Sequence, residues 1–188
     1  ETMTRIPEEL ARQILMSGDY YKDNHPGGIS AVVRYWSGHI DGLKYYPIYK
    51  AGGRITKAWW FLTSYARMAL RMLTDRNARI LHLHTAADGS FKRNSDLVRL
   101  GRFFGRKVVL HIHASRFKDF YNEASTKRKS KILNTLKSTD RIIVLSQSWK
   151  EWFMSIGIEE KALTVLYNIT PEPTVIPSAK TDDGKQHL

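Results

Sequence analysis

The sequence predicts an α/β fold, Rossmann-like, with a mainly parallel sheet of six or more strands and helices on both faces. Three observations carry this. The runs ILHLH, KVVLHIH and RIIVL are near-continuously apolar, as strands buried on both sides must be. Segments of helical period lie between such runs, and glycine or proline marks the junctions. Strands that alternate with helices have to be joined by crossovers, which makes the sheet parallel.

Taken in order, residues 1–12 read as an N-terminal arm or short helix, with Pro7-Glu8-Glu9 suited to a helix start. A strand is expected over Gln13–Met16, ended by Ser17-Gly18-Asp19, and Asn24 to Gly28 is a turn by composition. A helix follows from Ile29 to about Ile40, a strand over Leu43–Tyr49 and a long helix over Ile55–Thr74. Strands at Ala78–His84 and Val108–His113 flank a short helix at Asp96–Phe104. Phe117–Lys137 reads as helical, Ile142–Leu145 as a strand, Trp149–Ile156 as a short helix stopped by Gly157, and Leu163–Tyr167 as the last strand. The domain thus spans 13–170, and 171–188, with three prolines early and little apolar content later, reads as a linker or frayed tail.

Composition narrows the class. Hydrophobic residues make up 42% of the 188 and charged residues 26%, which suits a folded domain rather than a disordered chain. Cysteine is absent, which removes disulfides, thiolate metal sites and Cys nucleophiles together. With no leader and no apolar run of about 18–20 residues, the expected compartment is the cytoplasm. Thirty Lys and Arg against 18 Asp and Glu leave a charge of +12, so an anionic partner is expected.

Four features point to chemistry. The turn Gly27-Gly28 between first strand and first helix lets backbone approach a ligand, and the helix N-terminus behind it offers free N–H groups to a phosphate. It matches neither GxGxxG nor GxxxxGK[ST]. Two His-x-His strand ends, His82/His84 and His111/His113, each put both rings on one side of a strand. The inner rings, His82 and His111, read as core residues, while His84 and His113 border polar loops and are expected to face a cleft at the carboxyl ends of the strands. No carboxylate recurs at matching spacing, so a metal is not expected. Basic residues cluster between Phe91 and Lys131, mostly as solvated helix faces. In the long helix, Ile55, Trp59, Leu62, Ala66 and Leu73 form the expected core stripe. Lys57, Trp60, Arg67 and Arg71 lie opposite, as either a contact for an anionic membrane surface or a second packing face.

PGGIS after the first strand, ILHLHT, VVLHIHAS and then DRIIVLSQSWKEWFMSIGIEEKALTVLYNIT follow one another in fixed order. Over residues 13–170 this resembles the N-terminal domain of glycosyltransferase family 4, which has the B-type two-domain fold. The matching positions are Gly27-Gly28, His113, Asp140 to Ser146, Gly157 and Asn168. The family's Asn-Gly reads Asn168-Ile169 here, and Arg79 stands where an acidic residue is common. The resemblance implies a retaining transfer of a sugar from a nucleotide-sugar to an acceptor hydroxyl, without a metal, in polysaccharide or glycolipid synthesis. Gly27 and Gly28 would approach the donor diphosphate, and His113 would orient hydroxyls at the reaction centre. His84, Ser115 and Arg116 are the acceptor-side candidates from their place at strand ends. It also implies that the donor-binding domain is missing, so that this chain is an acceptor-side fragment, inactive alone, whose acceptor is a carbohydrate or lipid-linked; the Lys57, Trp60, Arg67 and Arg71 face of the long helix adds an expected peripheral location at the inner face of the membrane.

Other classes remain open. A metal-dependent hydrolase can use His-x-His strand ends, although its usual barrel needs eight strands and about 250 residues. A non-catalytic basic module would bind sugar or nucleic acid, but no helix-turn-helix, zinc or RNA-recognition signature appears, so nucleic acid is not expected.

Overall fold

The computed structural model describes residues 6–22, 27–113 and 115–168. The arm's first residues, the turn at 23–26 and the tail at 171–188 lie outside the described residues.

In chain order the elements are α1 (Glu8–Ala11), β1 (Ile14–Asp19), α2 (Gly28–Ser37), β2 (Lys44–Tyr49), α3 (Arg54–Thr74), β3 (Ile80–Thr85) and α4 (Asp88–Phe103). Then come β4 (Lys107–Ile112), α5 (Phe117–Asn122), α6 (Thr126–Lys137), β5 (Arg141–Val144), α7 (Gln147–Ser155), a 3-10 turn at Glu160–Ala162 and β6 (Leu163–Val165). The six strands form one sheet in the order β2-β1-β3-β4-β5-β6. Every pairing is parallel.

Alternation along each strand divides the interior into two layers. Leu15, Leu81, Leu83, Leu110 and Ile142 pack with Met68, Met72, Phe91, Leu97, Phe117 and Phe153 from α3, α4, α5 and α7. On the other face Met16 packs with Ala11, Ile40 and Trp36, supplied by α1, α2 and the turn after α2. Both faces are covered.

Four expectations need correction. β1 does not stop at Ser17-Gly18-Asp19 but runs through them. Gly18 is needed there because a Cβ would meet the Tyr45 hydroxyl at 2.7 Å, His84 Cβ at 3.0 Å and Ile29 Cγ2 at 3.1 Å. α4 starts at Asp88, not Asp96. Asn94 and Ser95 hide its period, since both are polar yet buried; the Asn94 amide donates to the His84 and Ser90 carbonyls at 3.2 and 3.0 Å, and Ser95 to Phe91 at 2.8 Å. The helical stretch after β4 is two helices, the second capped by Ser125 accepting from the Arg128 N–H.

The fourth is the rotation of α3. Its buried residues are Ser64, Met68 and Met72, and Ser64 donates to the Pro47 carbonyl of edge strand β2 at 2.6 Å. The stripe expected in the core faces water instead, with Ile55 86% and Leu73 70% exposed. The helix carries apolar side chains on two sides, and the sheet takes the one where methionines fit and the hydroxyl finds a carbonyl.

Candidate functional site at the carboxyl end of the sheet

The carboxyl ends of β1, β3 and β4 gather the sequence candidates. Gly27 caps α2 with φ 136°, a conformation that side chains oppose. Ala31 N–H makes the helix's first backbone bond, to the Gly27 carbonyl. The N–H groups of the first turn therefore point along the axis, towards the end where an anion is favoured. Gly28 is exposed, and among the described residues nothing outside its own helix turn comes within 4 Å of where a Cβ would stand. The turn is tied to β1 by Ser30, whose hydroxyl donates to the Tyr20 carbonyl at 2.9 Å.

The four strand histidines form one cluster. The register sets His84 of β3 beside His111 of β4, and Trp36 of α2 lies over His82, His84 and His111 with ring centroids 5.3–5.6 Å away. His84 Nδ1 and His113 Nε2 are 2.8 Å apart. Burial drives all four towards the neutral form: His82 falls to about 3, His111 to about 2 and His113 to about 4. His84 is also pushed well down, by burial first and then by the neighbouring rings. The reading of His82 and His111 as buried agrees with the structure. The cleft-facing expectation for His84 does not, since its ring is enclosed by Trp36, His111 and His113. His113 is half-buried and sits immediately beyond β4. Ser115 and Arg116 are exposed in the loop that follows.

One ligand nitrogen from each of His82, His84 and His111 lies within 4.8 Å of the others. A shared zinc at 2.0–2.1 Å would need nitrogens about 3.3 Å apart, with lone pairs converging. The His82 and His84 rings instead stack within 9° of parallel, so their in-plane lone pairs pass one another. As arranged, the His82 and His84 lone pairs do not converge on one point. A cavity of about 430 Å³, lined by Val32, Trp36, Ile40, His111, Leu166 and Tyr167, opens beside the cluster.

Sequence reasoning missed three residues here. Arg93 of α4 holds its guanidinium 4.7 Å from the Tyr49 ring, and the Asp19 carboxylate supports its charge against burial. Tyr45 donates its hydroxyl to the Asp19 carbonyl at 2.6 Å, and burial raises its pKa well above the usual range. Asp88, which opens α4 after β3, has φ 53°, a strained value for a residue other than glycine. The only signal for the last was its place in a loop after a strand end; for the first two there was none, because their partners lie on other elements.

The family-like positions fall at both ends of the sheet. Ser146 caps α7 by accepting from Trp149 N–H at 3.3 Å. Asp140 precedes β5 at the amino end, where it accepts from Lys107 Nζ and Val108 N–H, each at 2.9 Å. Gly157 ends α7 with φ 92°, and Asn168 is exposed beyond β6.

The expected membrane face of α3 is turned towards β2 and its flank. Trp60 is half-buried with its ring 5.2 Å from Tyr20. Lys57 and Arg67 lie over Tyr49 and Tyr46 at 5.7 and 5.4 Å, and Arg71 pairs with Asp75 at 2.9 Å. No helix among the described residues is long and apolar enough to cross a membrane.

The family model for glycosyltransferase family 4 matches residues 27–170. Among solved structures, the chain is similar to Alr3699/HepE of Anabaena in complex with UDP, at 14% identity and TM-score 0.51, covering 83% of this chain and 44% of that one. The same protein with UDP and glucose is 15% identical over 82% and 44%, with TM-score 0.49. With UDP-glucose it is 13% identical over 82% and 43%, with TM-score 0.49. No curated protein matches the chain. The chain spans about 44% of the length of HepE. The match over most of its length shows that the chain belongs to glycosyltransferase family 4.

Proposed function

We propose that this domain is the acceptor-side half of a retaining glycosyltransferase of the hexosyltransferase kind. It moves a sugar from a nucleotide-sugar to an acceptor hydroxyl in polysaccharide or glycolipid synthesis, without a metal. The single observation that supports this best is the placement of the α2 N-terminus, opened by Gly27-Gly28, on the same end of the sheet as the His84–His113 pair. HepE is seen with UDP and with UDP-glucose, which supports a nucleotide-sugar as donor.

On this reading the leaving diphosphate gathers negative charge as the bond to the sugar breaks, and the first-turn N–H groups of α2 stabilise it. His113, neutral and half-buried, orients a sugar or acceptor hydroxyl by hydrogen bonding. His84 holds that ring in place rather than touching the acceptor, and Ser115 and Arg116 meet the acceptor at the rim. The remaining half of the cleft, with the rest of the donor site, belongs to a second domain, so the 188 residues alone are inactive. The acceptor is a carbohydrate or lipid-linked, and the enzyme works at the inner face of an anionic membrane.

The test is His113→Ala in the complete enzyme. Turnover should fall about 100-fold through lost orientation, with the unfolding midpoint nearly unchanged. A variant that unfolds while keeping its specific activity would make His113 a packing residue. Sugar transfer by the 188-residue chain alone would overturn the two-domain reading.

A further inference from the structure

We propose that the carboxyl ends of β1 and β2 form a distal acceptor subsite, for a sugar residue that carries an oxyanion. Three cations meet there on aromatic rings. Arg93, in the second turn of α4, holds its guanidinium 4.7 Å from the Tyr49 ring, and Lys57, in the first turn of α3, stands 5.7 Å from the same ring. Lys50, just past β2, lies 4.3 Å from Tyr20 and 5.7 Å from Trp60, whose rings are 5.2 Å apart. The two strand ends are joined by the Tyr20 N–H, which donates to the Tyr49 carbonyl at 2.8 Å.

Topology keeps this corner beside a ligand crevice. The strand order β2-β1-β3-β4-β5-β6 puts the switch point of the sheet between β1 and β3. α2 leaves β1 on one face and α4 leaves β3 on the other, so the strand ends between them border the crevice in which such sheets bind ligands. Asp19 closes β1 at that crevice, and Arg93 reaches it from α4.

Charge and ring area select the occupant. Among the described residues none of Lys50, Lys57 and Arg93 makes an ion pair with a carboxylate. Asp19 supports the Arg93 charge without such a contact, and the buried Arg93 Nε has no hydrogen-bond partner. A guanidinium in that state is best satisfied by an oxyanion, which can take two of its N–H groups at once. Three cations against Asp19 leave the corner positive. Tyr20, Tyr49 and Trp60 are each half-buried and add apolar ring area with polar tips, which suits a pyranose bearing the anion rather than a bare ion.

The anion is not the donor diphosphate, because the N-terminus of α2 that meets it in the proposed reaction lies on the other face of the sheet. Nor is the sugar the one that is glycosylated. Three strand spacings separate β2 from β4, which puts the corner about 14 Å from His113. The subsite therefore holds a residue farther along the acceptor. This inference rests on the acceptor-side reading of the transferase. Binding is read without any transfer, so anionic sugars that bind while the complete enzyme transfers nothing would overturn that reading and leave this one standing.

The experiment is a saturation-transfer NMR titration of the purified chain with glucuronic acid, glucose 1-phosphate and glucose, with inorganic phosphate as competitor. Both anionic sugars should bind at least about fivefold more tightly than glucose, and the ratio between them tells a carboxylate-bearing acceptor from a phosphate-bearing one. Arg93→Gln should weaken both at least about fivefold with an unchanged circular dichroism spectrum, and Arg93→Lys should restore part of the loss. Lys50→Ala with Lys57→Ala leaves the half-buried guanidinium in place and reads the same corner should Arg93→Gln disturb folding. Lys131→Ala on α6 should change binding less than about twofold. Glucose binding as tightly as the anionic sugars, binding unchanged in the corner variants, or an equal loss from Lys131→Ala would overturn the proposal. So would inorganic phosphate displacing glucose 1-phosphate at equal concentration, since the corner would then hold an anion without its sugar.

Discussion

His84 Nδ1 and His113 Nε2 face each other at 2.8 Å, so one proton serves both nitrogens and the tautomer of either ring sets that of the other. If His84 donates, His113 carries its single N–H on Nδ1; if His113 donates, its Nδ1 holds a lone pair. Burial makes doubly protonated rings unfavourable, and the pair works as a neutral unit.

Stability should fall in mild acid. An unfolded histidine takes up a proton near pH 6.5, whereas folded His82, His111 and His113 resist until about 3, 2 and 4. Above pH 6.5 neither state is protonated and there is no effect. As pH drops below 6.5 the unfolded state binds more protons, so folding stability declines by about 1.4 kcal/mol per pH unit for each such ring. Most of this window lies above the titration of ordinary carboxylates. Urea unfolding at pH 7, 6 and 5 should show the decline, and His111→Leu should flatten it. A flat profile from pH 7 to 5 would mean that the rings are protonated in the folded protein.

The two glycines of the turn should separate structure from binding. Gly27→Ala forces a side chain into φ 136° and should cost about 1–3 kcal/mol. A Cβ on Gly28 meets no atom of the described residues outside its own helix turn, so Gly28→Ala should keep the unfolding midpoint within a degree or two. In the complete enzyme it should raise the donor KM about tenfold while leaving the acceptor KM alone, because the methyl stands where a phosphate would approach. Unchanged donor binding would make the turn purely structural.

Gly18→Ala should be among the costliest small changes. The new methyl would press on the Tyr45 hydroxyl, on His84 Cβ and on Ile29, and only the tyrosine is free to swing away. Doing so would break its bond to Asp19. A loss of about 1–3 kcal/mol in denaturant unfolding is expected; a neutral result would show that β1 and α2 can move apart.

Asp140, one of the family-like positions, should behave as a structural residue. Removing its carboxylate leaves the Val108 N–H without its partner and releases Lys107 and Arg102. Asp140→Ala should cost about 1–3 kcal/mol with turnover per folded molecule unchanged.

The strands were legible because burial on both faces leaves them nearly all apolar, as in Leu81 and Leu83 around His82. The rotation of α3 was not legible. Ile55, Trp59 and Leu62 on one side, and Phe61, Met68 and Met72 on another, give two apolar faces, and periodicity alone does not say which meets the sheet. The start of α4 was hidden because Asn94 and Ser95 are satisfied by carbonyls that only the fold brings near. At the site, the glycine turn and His113 stood out by type and place. The burial of His84 did not, since it depends on Trp36 arriving from α2, and Arg93 gains its meaning only beside Asp19 and Tyr49.

The Ser64–Pro47 contact also bears on the open edge of the sheet. β2 is an edge of the sheet, and an open edge invites a foreign strand to add to it. At Pro47 the backbone has no N–H to offer, and its carbonyl is already held by Ser64 at 2.6 Å. A strand from another molecule therefore meets a rung with no donor and an acceptor already engaged by Ser64, four residues into a six-residue edge. The same hydroxyl that settles which way α3 turns also blunts the sheet against ordered aggregation.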